Sequence, residues 1–558
     1  MYNMSAGKQN FKKLIDNDYY YVDKTLLIED VLTEDVLLYI RPRRFGKTLN
    51  MSMLYYFFSI NEEENAYLFE GLKITHNEKA MKHMNKHPVI HITFGSAKSP
   101  TLELQIAAIG DVVSAFLRKN YKLKNHPNLS KYHHDKLKSF EENRFEKNEL
   151  KNSLQFISEC MYLAYRENVI ILIDEYDVPL SYSREKYYEE FYDFYLSFLS
   201  ASLKYNDYLE RGVLTGCLRI VKESLFSGLN NLKVRSLLDY NARDCFGFTQ
   251  NEVDDILKEA HLEDKRQLIK DWYDGYNFSG ISIYNPWSLL EYVNILMVKP
   301  DQYPQPYWLN TGRNDIIYQY ILETGEDLKK DFRKLVEGEP ISKKIIPELT
   351  YRDLDHQRYE SENIYSLLLF SGYLKIINQP KDSSGNIIDD TYNLLIPNKE
   401  VSKIYTDSFS IWFKQRYKNY DTKFIYALLN SDSQKANEIL NASLFETMSY
   451  YDNNESFYHG YMSKLLSVND YIVESNVESG LGRYDLFIHR KNDFNSPSLL
   501  IECKHSKTRE DLERDAQKGI EQMIGRKYIE GLMAKGYSTV ISYCISFYKK
   551  ECYIKTTS

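Results

Sequence analysis

Val36–Asn50 reads VLLYIRPRRFGKTLN. It opens on an apolar run, Val36, Leu37, Leu38, Tyr39 and Ile40, then turns through Arg41-Pro42-Arg43-Arg44-Phe45 to Gly46-Lys47-Thr48. Leu49, Met53, Tyr56 and Phe57 follow at helical spacing. Strand, tight loop, Gly-Lys-Thr and helix together form the layout of a phosphate-binding loop, in which loop amides and a helix N-terminus face an anion. The lysine adds a point charge near the terminal phosphates, and the threonine hydroxyl can ligate magnesium. Arg41 stands where such a loop ordinarily has its first glycine, which makes this a modified version. The alternative is a basic surface turn before an ordinary helix.

The second acidic element downstream favours the loop. Val169–Leu180, VIILIDEYDVPL, runs through five apolar residues to Asp174 and Glu175. A near-continuous Val/Ile/Leu strand suits a parallel sheet covered on both faces. Acidic residues at its C-terminal end sit where such sheets bind ligands. Asp174 is expected to hold magnesium through water, and Glu175 to orient the attacking water. Gly212–Val221 is another core strand, and Thr215 within it is placed either to sense the nucleotide or simply as a satisfied buried hydroxyl.

At 558 residues the chain has room for several domains. A net charge of −8 excludes an overall polycation, so a nucleic-acid site has to be a local basic patch. The six cysteines are scattered without a CxxC pair, which argues against zinc and for a reducing cytoplasm. The N-terminus lacks an apolar signal core, and no run approaches the roughly 18 apolar residues of a membrane span. Residues 126–151 read as an exposed polar insertion, and Ser431–Asn437 as a linker. Thr249 and Glu252 have the spacing of a capping box.

A second chemical pattern occupies the last hundred or so residues. Glu455 opens a helical stretch. Glu478–Asp485, ESGLGRYD, leads into the strand LFIHR, and Ser498–Lys504 reads SLLIECK. Glu502 and Lys504, two apart on a strand, share a face. A hairpin brings Asp485 beside them, giving two carboxylates and an amine at one sheet end. Paired carboxylates suit magnesium, and an adjacent ammonium stabilises charge building on a phosphate. The bland reading is a cross-strand ion pair. Residues 508–535 read as one long helix.

With these pieces placed, the chain resembles a family of prokaryotic proteins that joins an AAA-ATPase-like domain to a C-terminal PD-(D/E)XK nuclease-superfamily domain. The resemblance rests on YYVDKT (Tyr20–Thr25), RPRRFGKTL (Arg41–Leu49), LIDEYDVPL (Leu172–Leu180), FGFT (Phe246–Thr249), YNPWSLL (Tyr284–Leu290), IPNKEV (Ile396–Val401), ESGLGRYDL (Glu478–Leu486) and IECK (Ile501–Lys504). It implies an α/β fold: a P-loop ATPase domain, 1–240, with the Thr215 strand between the strands that carry Lys47 and Asp174. A helical lid, 241–335, a winged-helix-like region, 336–430, and a small α/β nuclease-like domain, 440–558, would follow. ATP is expected against Arg43, Arg44, Phe45, Gly46, Lys47, Thr48 and Leu49, with Asp174 and Thr215, and magnesium at Thr48 and Asp174. In the nuclease-like domain the resemblance implies Asp485, Glu502 and Lys504 as the core, Glu455 as a further magnesium or manganese ligand, and Gln522 as an auxiliary catalytic residue. The implied activity is ATP hydrolysis coupled to magnesium-dependent cleavage of nucleic acid, DNA before RNA. The rival is a nucleotide-dependent switch that binds nucleic acid without cutting. Homo-oligomers are the usual state of such ATPases, and no membrane is implied.

Overall fold

The computed structural model describes residues 4, 6–183, 187–219, 231–308, 326–350, 353, 361–406, 420–447, 455–467, 471–479, 482–491 and 493–557. The chain divides into two compact units, Met1–Asp407 and Ser408–Ser558.

In the first unit, β1 (Val36–Ile40), β2 (Val89–Thr93), β3 (Val169–Asp174), β4 (Leu209–Gly216) and β5 (Leu232–Arg235) form a five-stranded sheet in the order β2-β3-β4-β1-β5. Every pairing is parallel. All residues of β1 and β3 are buried, as a sheet covered by helices on both faces requires. β4 lies between β1 and β3, with Tyr39 opposite Thr215. The covering helices include Lys47–Phe58, Leu102–Lys119, Ser153–Tyr165 and the aromatic Tyr188–Leu203. Beyond the sheet, Thr249 and Glu252 do form a capping box, on the helix Gln250–Glu259. The hairpin of β6 (Tyr276–Phe278) and β7 (Ile281–Ile283) leads to the helix Pro286–Val298. A small antiparallel sheet, β8 (Ile341–Lys344), β9 (Lys375–Asn378) and β10 (Thr391–Leu395), follows in the order β8-β10-β9.

In the second unit, β11 (Tyr471–Ser479), β12 (Gly482–Arg490), β13 (Ser498–His505), β14 (Val540–Tyr548) and β15 (Glu551–Thr556) form a mixed sheet in sequence order. Only β13 and β14 are parallel. Alternate residues of β13 go to opposite cores. Leu499, Ile501 and Cys503 pack with the helices Tyr420–Leu429, Ser433–Thr447 and Glu455–Leu465. Leu500 packs with Ile520, Met523 and Tyr528 on the other face.

Three expectations fail for identifiable reasons. Residues 126–151 are not a bare insertion: the helices Lys131–Glu141 and Lys147–Lys151 bury Leu137, Phe140 and Leu150. Three apolar residues among many charges make too sparse a stripe to read as periodicity. The supposed linker at Ser431–Asn437 is a turn running into Ser433–Thr447, whose Ala436, Leu440 and Leu444, four apart, are fully buried against the second sheet. The single helix over 508–535 is two, Leu512–Gly525 and Tyr528–Ala534, broken where Lys527 adopts φ 54°. Most of the helix expected over 401–417 lies outside the described residues. Among the described residues no helix is long and apolar enough to cross a membrane.

One buried acid gives the first unit a pH signature. Glu400 has no solvent exposure; it accepts hydrogen bonds from Ser288 Oγ (2.9 Å) and the Trp308 amide (2.8 Å). Burial outweighs those bonds and pushes its pKa up to about 7. A raised acid binds its proton more tightly when folded. Its contribution is therefore most favourable below the unfolded value near 4.5 and is lost as pH rises towards 7. Urea denaturation from pH 5 to 8 should show the unit losing on the order of 3 kcal/mol from this residue. Glu400→Gln should flatten that slope.

Candidate functional site

The loop after β1 ends in the helix Lys47–Phe58, capped by Gly46 at φ 85°. Arg44 also has a left-handed backbone, φ 69°. The loop therefore bends at Arg44 and Gly46. Lys47 is buried, and its ammonium donates to the Arg41 and Pro42 carbonyls at 2.9 and 2.8 Å. Thr48 and Leu49 are half-buried on the first turn, and Arg43 is exposed. Arg44 stacks on the Trp287 ring at 4.2 Å. The Phe45 side chain turns inward, against Tyr276 (4.9 Å) and Phe278 (5.4 Å), which leaves only its backbone for a ligand.

The acids of β3 stand at the same sheet end. Asp174 is buried and accepts from the Thr215 hydroxyl and from the Glu175 amide (3.0 Å). Thr215 is thus the bonded hydroxyl that steadies Asp174. Glu175 takes an uncommon backbone for its residue type, φ 52°. Its carboxylate lies against Gly95, where a Cβ would collide with it. Burial, then the Asp174 charge, raises its pKa, opposed by Lys47 and Arg43. Asp177 was not singled out from the sequence. Its carboxylate accepts the Cys217 (2.9 Å) and Leu218 (3.2 Å) amides and so fixes the chain leaving β4. Its place inside LIDEYDVPL was the available signal. Within the YYVDKT motif, Lys24 is buried and pairs with Glu252 at 2.7 Å.

In the second unit the last paired residues of β12 and β13 are Leu486 and Ile501. Just past them the Asp485 carboxylate accepts the Cys503 amide at 2.8 Å. Glu502 is 3% exposed. Its Oε1 accepts from Lys504 Nζ (3.0 Å) and Gln522 Nε2 (2.7 Å), while no described residue bonds its Oε2. Burial, then the Asp485 charge, raises the Glu502 pKa. For Lys504, burial lowers the pKa but Glu502 and Asp485 outweigh it, and the net shift is upward. Asp485, Glu502, Lys504 and Gln522 therefore meet at one place. The Glu455 side chain and residues 480–481 lie outside the described residues. The helix that Glu455 opens carries Tyr458, stacked on Phe547 (4.4 Å) and His505 (6.0 Å) at the end of β13.

A carboxylate oxygen left buried without a partner is costly. A hard divalent cation held jointly with Asp485 is a chemical fit for it. Among the described residues no group of three or more His, Cys, Asp or Glu forms a metal cage. A two-carboxylate site suits magnesium, which keeps waters in its shell.

Gly519 admits Gln522 to this site, and the sequence pattern did not reveal it. A Cβ there would run into the Cys544 sulfur on β14, so only glycine lets the Leu512–Gly525 helix come this close to the sheet. Gln522 lies one turn on.

Two family matches fit this architecture. Residues 5–226 match the family described as predicted AAA-ATPase, and residues 453–557 match the PD-(D/E)XK nuclease superfamily. The chain thus carries an AAA-ATPase-like segment followed by a PD-(D/E)XK nuclease-superfamily segment. An uncharacterized protein in the vnfD 5' region of Azotobacter chroococcum mcd 1 is 27% identical over 405 residues, 71% of this chain and 68% of that one. Among solved structures, the Aeropyrum pernix ORC2 protein (ADPNP-ADP complexes) covers 71% of this chain and 97% of its own at 13% identity, with a TM-score of 0.30.

Gly519→Ala should push the helix off the sheet and weaken the Gln522–Glu502 bond. A melting temperature several degrees lower, about the effect of overpacking by one methyl, should accompany it. Differential scanning calorimetry checks this.

Proposed function

We propose that this chain binds and hydrolyses ATP in its N-terminal unit, and that nucleotide state there controls a magnesium-dependent nuclease in its C-terminal unit. The observation that carries the nuclease reading is the buried Oε2 of Glu502 beside Asp485, without a hydrogen-bond partner among the described residues, with Lys504 and Gln522 holding the other oxygen. Asp485 and Glu502 would hold magnesium, or manganese in its place, with Glu455 as a further ligand. Bound there, the ion would polarise a phosphodiester and lower the pKa of a water. Lys504 contributes a fixed positive charge where negative charge develops on phosphorus. Gln522 orients the Glu502 carboxylate. Nucleic acid is the substrate class, DNA before RNA.

In the N-terminal unit, Lys47 would leave the Arg41 and Pro42 carbonyls for the terminal phosphates. Arg43, Arg44 and Leu49, with the amides of Phe45 and Gly46, would complete the nucleotide contacts. Thr48 and Asp174 would hold the accompanying magnesium, with Thr215 steadying Asp174, and Glu175 would orient the attacking water. The lid over 241–335 and the winged region over 336–430 belong to this proposal, as do assembly with further copies and a cytoplasmic setting. One observation favours a second reading, a nucleotide-dependent switch without turnover: Lys47 is already satisfied within its own loop.

Cleavage of plasmid, single-stranded DNA and RNA, each with magnesium and with or without ATP, tests the proposal. Asp485→Ala and Lys504→Ala should each lower cleavage by about 10²-fold or more, the loss typical of an electrostatic group in a reacting site. Lys47→Ala should remove the response to ATP while basal cleavage continues. Intact cleavage by Asp485→Ala would sink the nuclease reading. ATP binding without phosphate release in the wild type, together with no cleavage, would leave the switch.

A further inference from the structure

Arg41 is among the most deeply buried side chains of the protein, with no solvent exposure. Its guanidinium donates through Nη1 to the carbonyls of Ile40 (2.8 Å) and Arg235 (2.7 Å), and through Nη2 to that of Ala242 (3.1 Å). Its Cζ lies over the rings of Phe246 and Phe278, 5.2 and 5.4 Å from their centroids. Its own amide donates to the Gly216 carbonyl at 3.1 Å, and its carbonyl accepts from Lys47. One residue therefore ties together the ends of β1, β4 and β5, the turn at Ala242 and the loop lysine.

This arrangement is expensive. Burial draws the guanidinium pKa down to about 10, which leaves it charged at neutral pH. Among the described residues the cation donates its hydrogen bonds to carbonyl dipoles and to no carboxylate. A charge buried without an ion-pair partner is costly, so stability alone does not account for it. A planar fork offers what an apolar group cannot: three carbonyls on different segments held at fixed distances.

The loop's own shape completes the argument. A first glycine ordinarily lets a phosphate loop curl. Here Arg41 is absent from the positive-φ residues, and the curl comes from Arg44 and Gly46 further on. Phe278 touches both Arg41 and Phe45, so the β6–β7 hairpin holds both ends of the turn.

We propose that Arg41 is a positioning residue for nucleotide binding: its side chain, held against Phe246 and Phe278, does from behind the loop what a first glycine does within it. The proposal rests on the nucleotide-site reading above. It assigns to Arg41 no contact with nucleotide. FGFT and the Phe278 strand then act in the site by holding this cation.

The test is the affinity of the full chain for a fluorescent ATP analogue, read beside circular dichroism and melting temperature. Arg41→Lys keeps the charge and loses the fork; it should bind about ten-fold more weakly or worse. Leu257→Ala, in the Gln250–Glu259 helix, creates a cavity away from the loop. It should melt lower and keep wild-type affinity, which separates positioning from general destabilisation. Should Arg41→Lys not fold, Phe246→Leu, which leaves every guanidinium hydrogen bond and the ring contacts of Phe45, should still weaken binding several-fold. Wild-type affinity in folded Arg41→Lys, or in Phe246→Leu where Arg41→Lys does not fold, overturns the proposal. Absence of binding by the wild type overturns the nucleotide site itself and this role with it.

Discussion

β1 is buried along its whole length, and a strand that no water reaches must find all its backbone partners in the sheet. It does so by lying between β4 and β5, in parallel with both. That constraint organises the first unit. It sets the C-terminal ends of β1, β4 and β3 side by side, so the loop of Lys47, the hydroxyl of Thr215 and the carboxylate of Asp174 occupy one edge. The Thr215–Asp174 hydrogen bond forms because β4 lies directly beside β3. Moving Thr215 one residue along β4 would point its hydroxyl to the opposite face.

The second unit solves a different problem with the same rule. β13 runs antiparallel to β12 and parallel to β14, with alternate side chains feeding two cores. Beyond Leu486 and Ile501 the β12–β13 pairing ends, and the Cys503 amide would be left open. The Asp485 carboxylate takes it. Glu502 is drawn into the gap beside a like charge, and Lys504 and Gln522 offset only part of the cost. A fold tuned for stability alone would place an apolar residue there. Four polar side chains meet at this one sheet end, and buried groups pushed from their ordinary pKa values cluster at functional sites.

Much of this was legible because the signals are local. VIILID announces a strand covered on both faces, and Thr249 with Glu252 announces a helix start. IECK places Glu502 and Lys504 on one face through the two-residue period of a strand. The order of β4 between β1 and β3 came from the resemblance, since spacing alone does not fix strand order. What stayed hidden depends on contacts between distant segments. Nothing at Arg41 says that its partners are Arg235 and Ala242, or that its rings are Phe246 and Phe278. Gly519 reads as a weak point in a helix until Cys544 is known to lie beneath it. Ala436, Leu440 and Leu444 make a clear stripe, yet the polar residues around Ser431 drew attention to a linker. The helix break at Lys527 follows Gly525 by two residues, but a lone glycine in a helical pattern is tolerated too often to mark an end.

The central claim is that Asp485 and Glu502 together hold one divalent cation. Titrating the full chain with manganese, without nucleotide, and following free manganese by electron paramagnetic resonance tests it most directly. The account predicts saturable binding in the wild type that is lost in Asp485→Asn and in Glu502→Gln but persists in Lys504→Met, because the lysine supplies charge and no ligand. Undiminished manganese binding in Asp485→Asn, or none in the wild type, would contradict it.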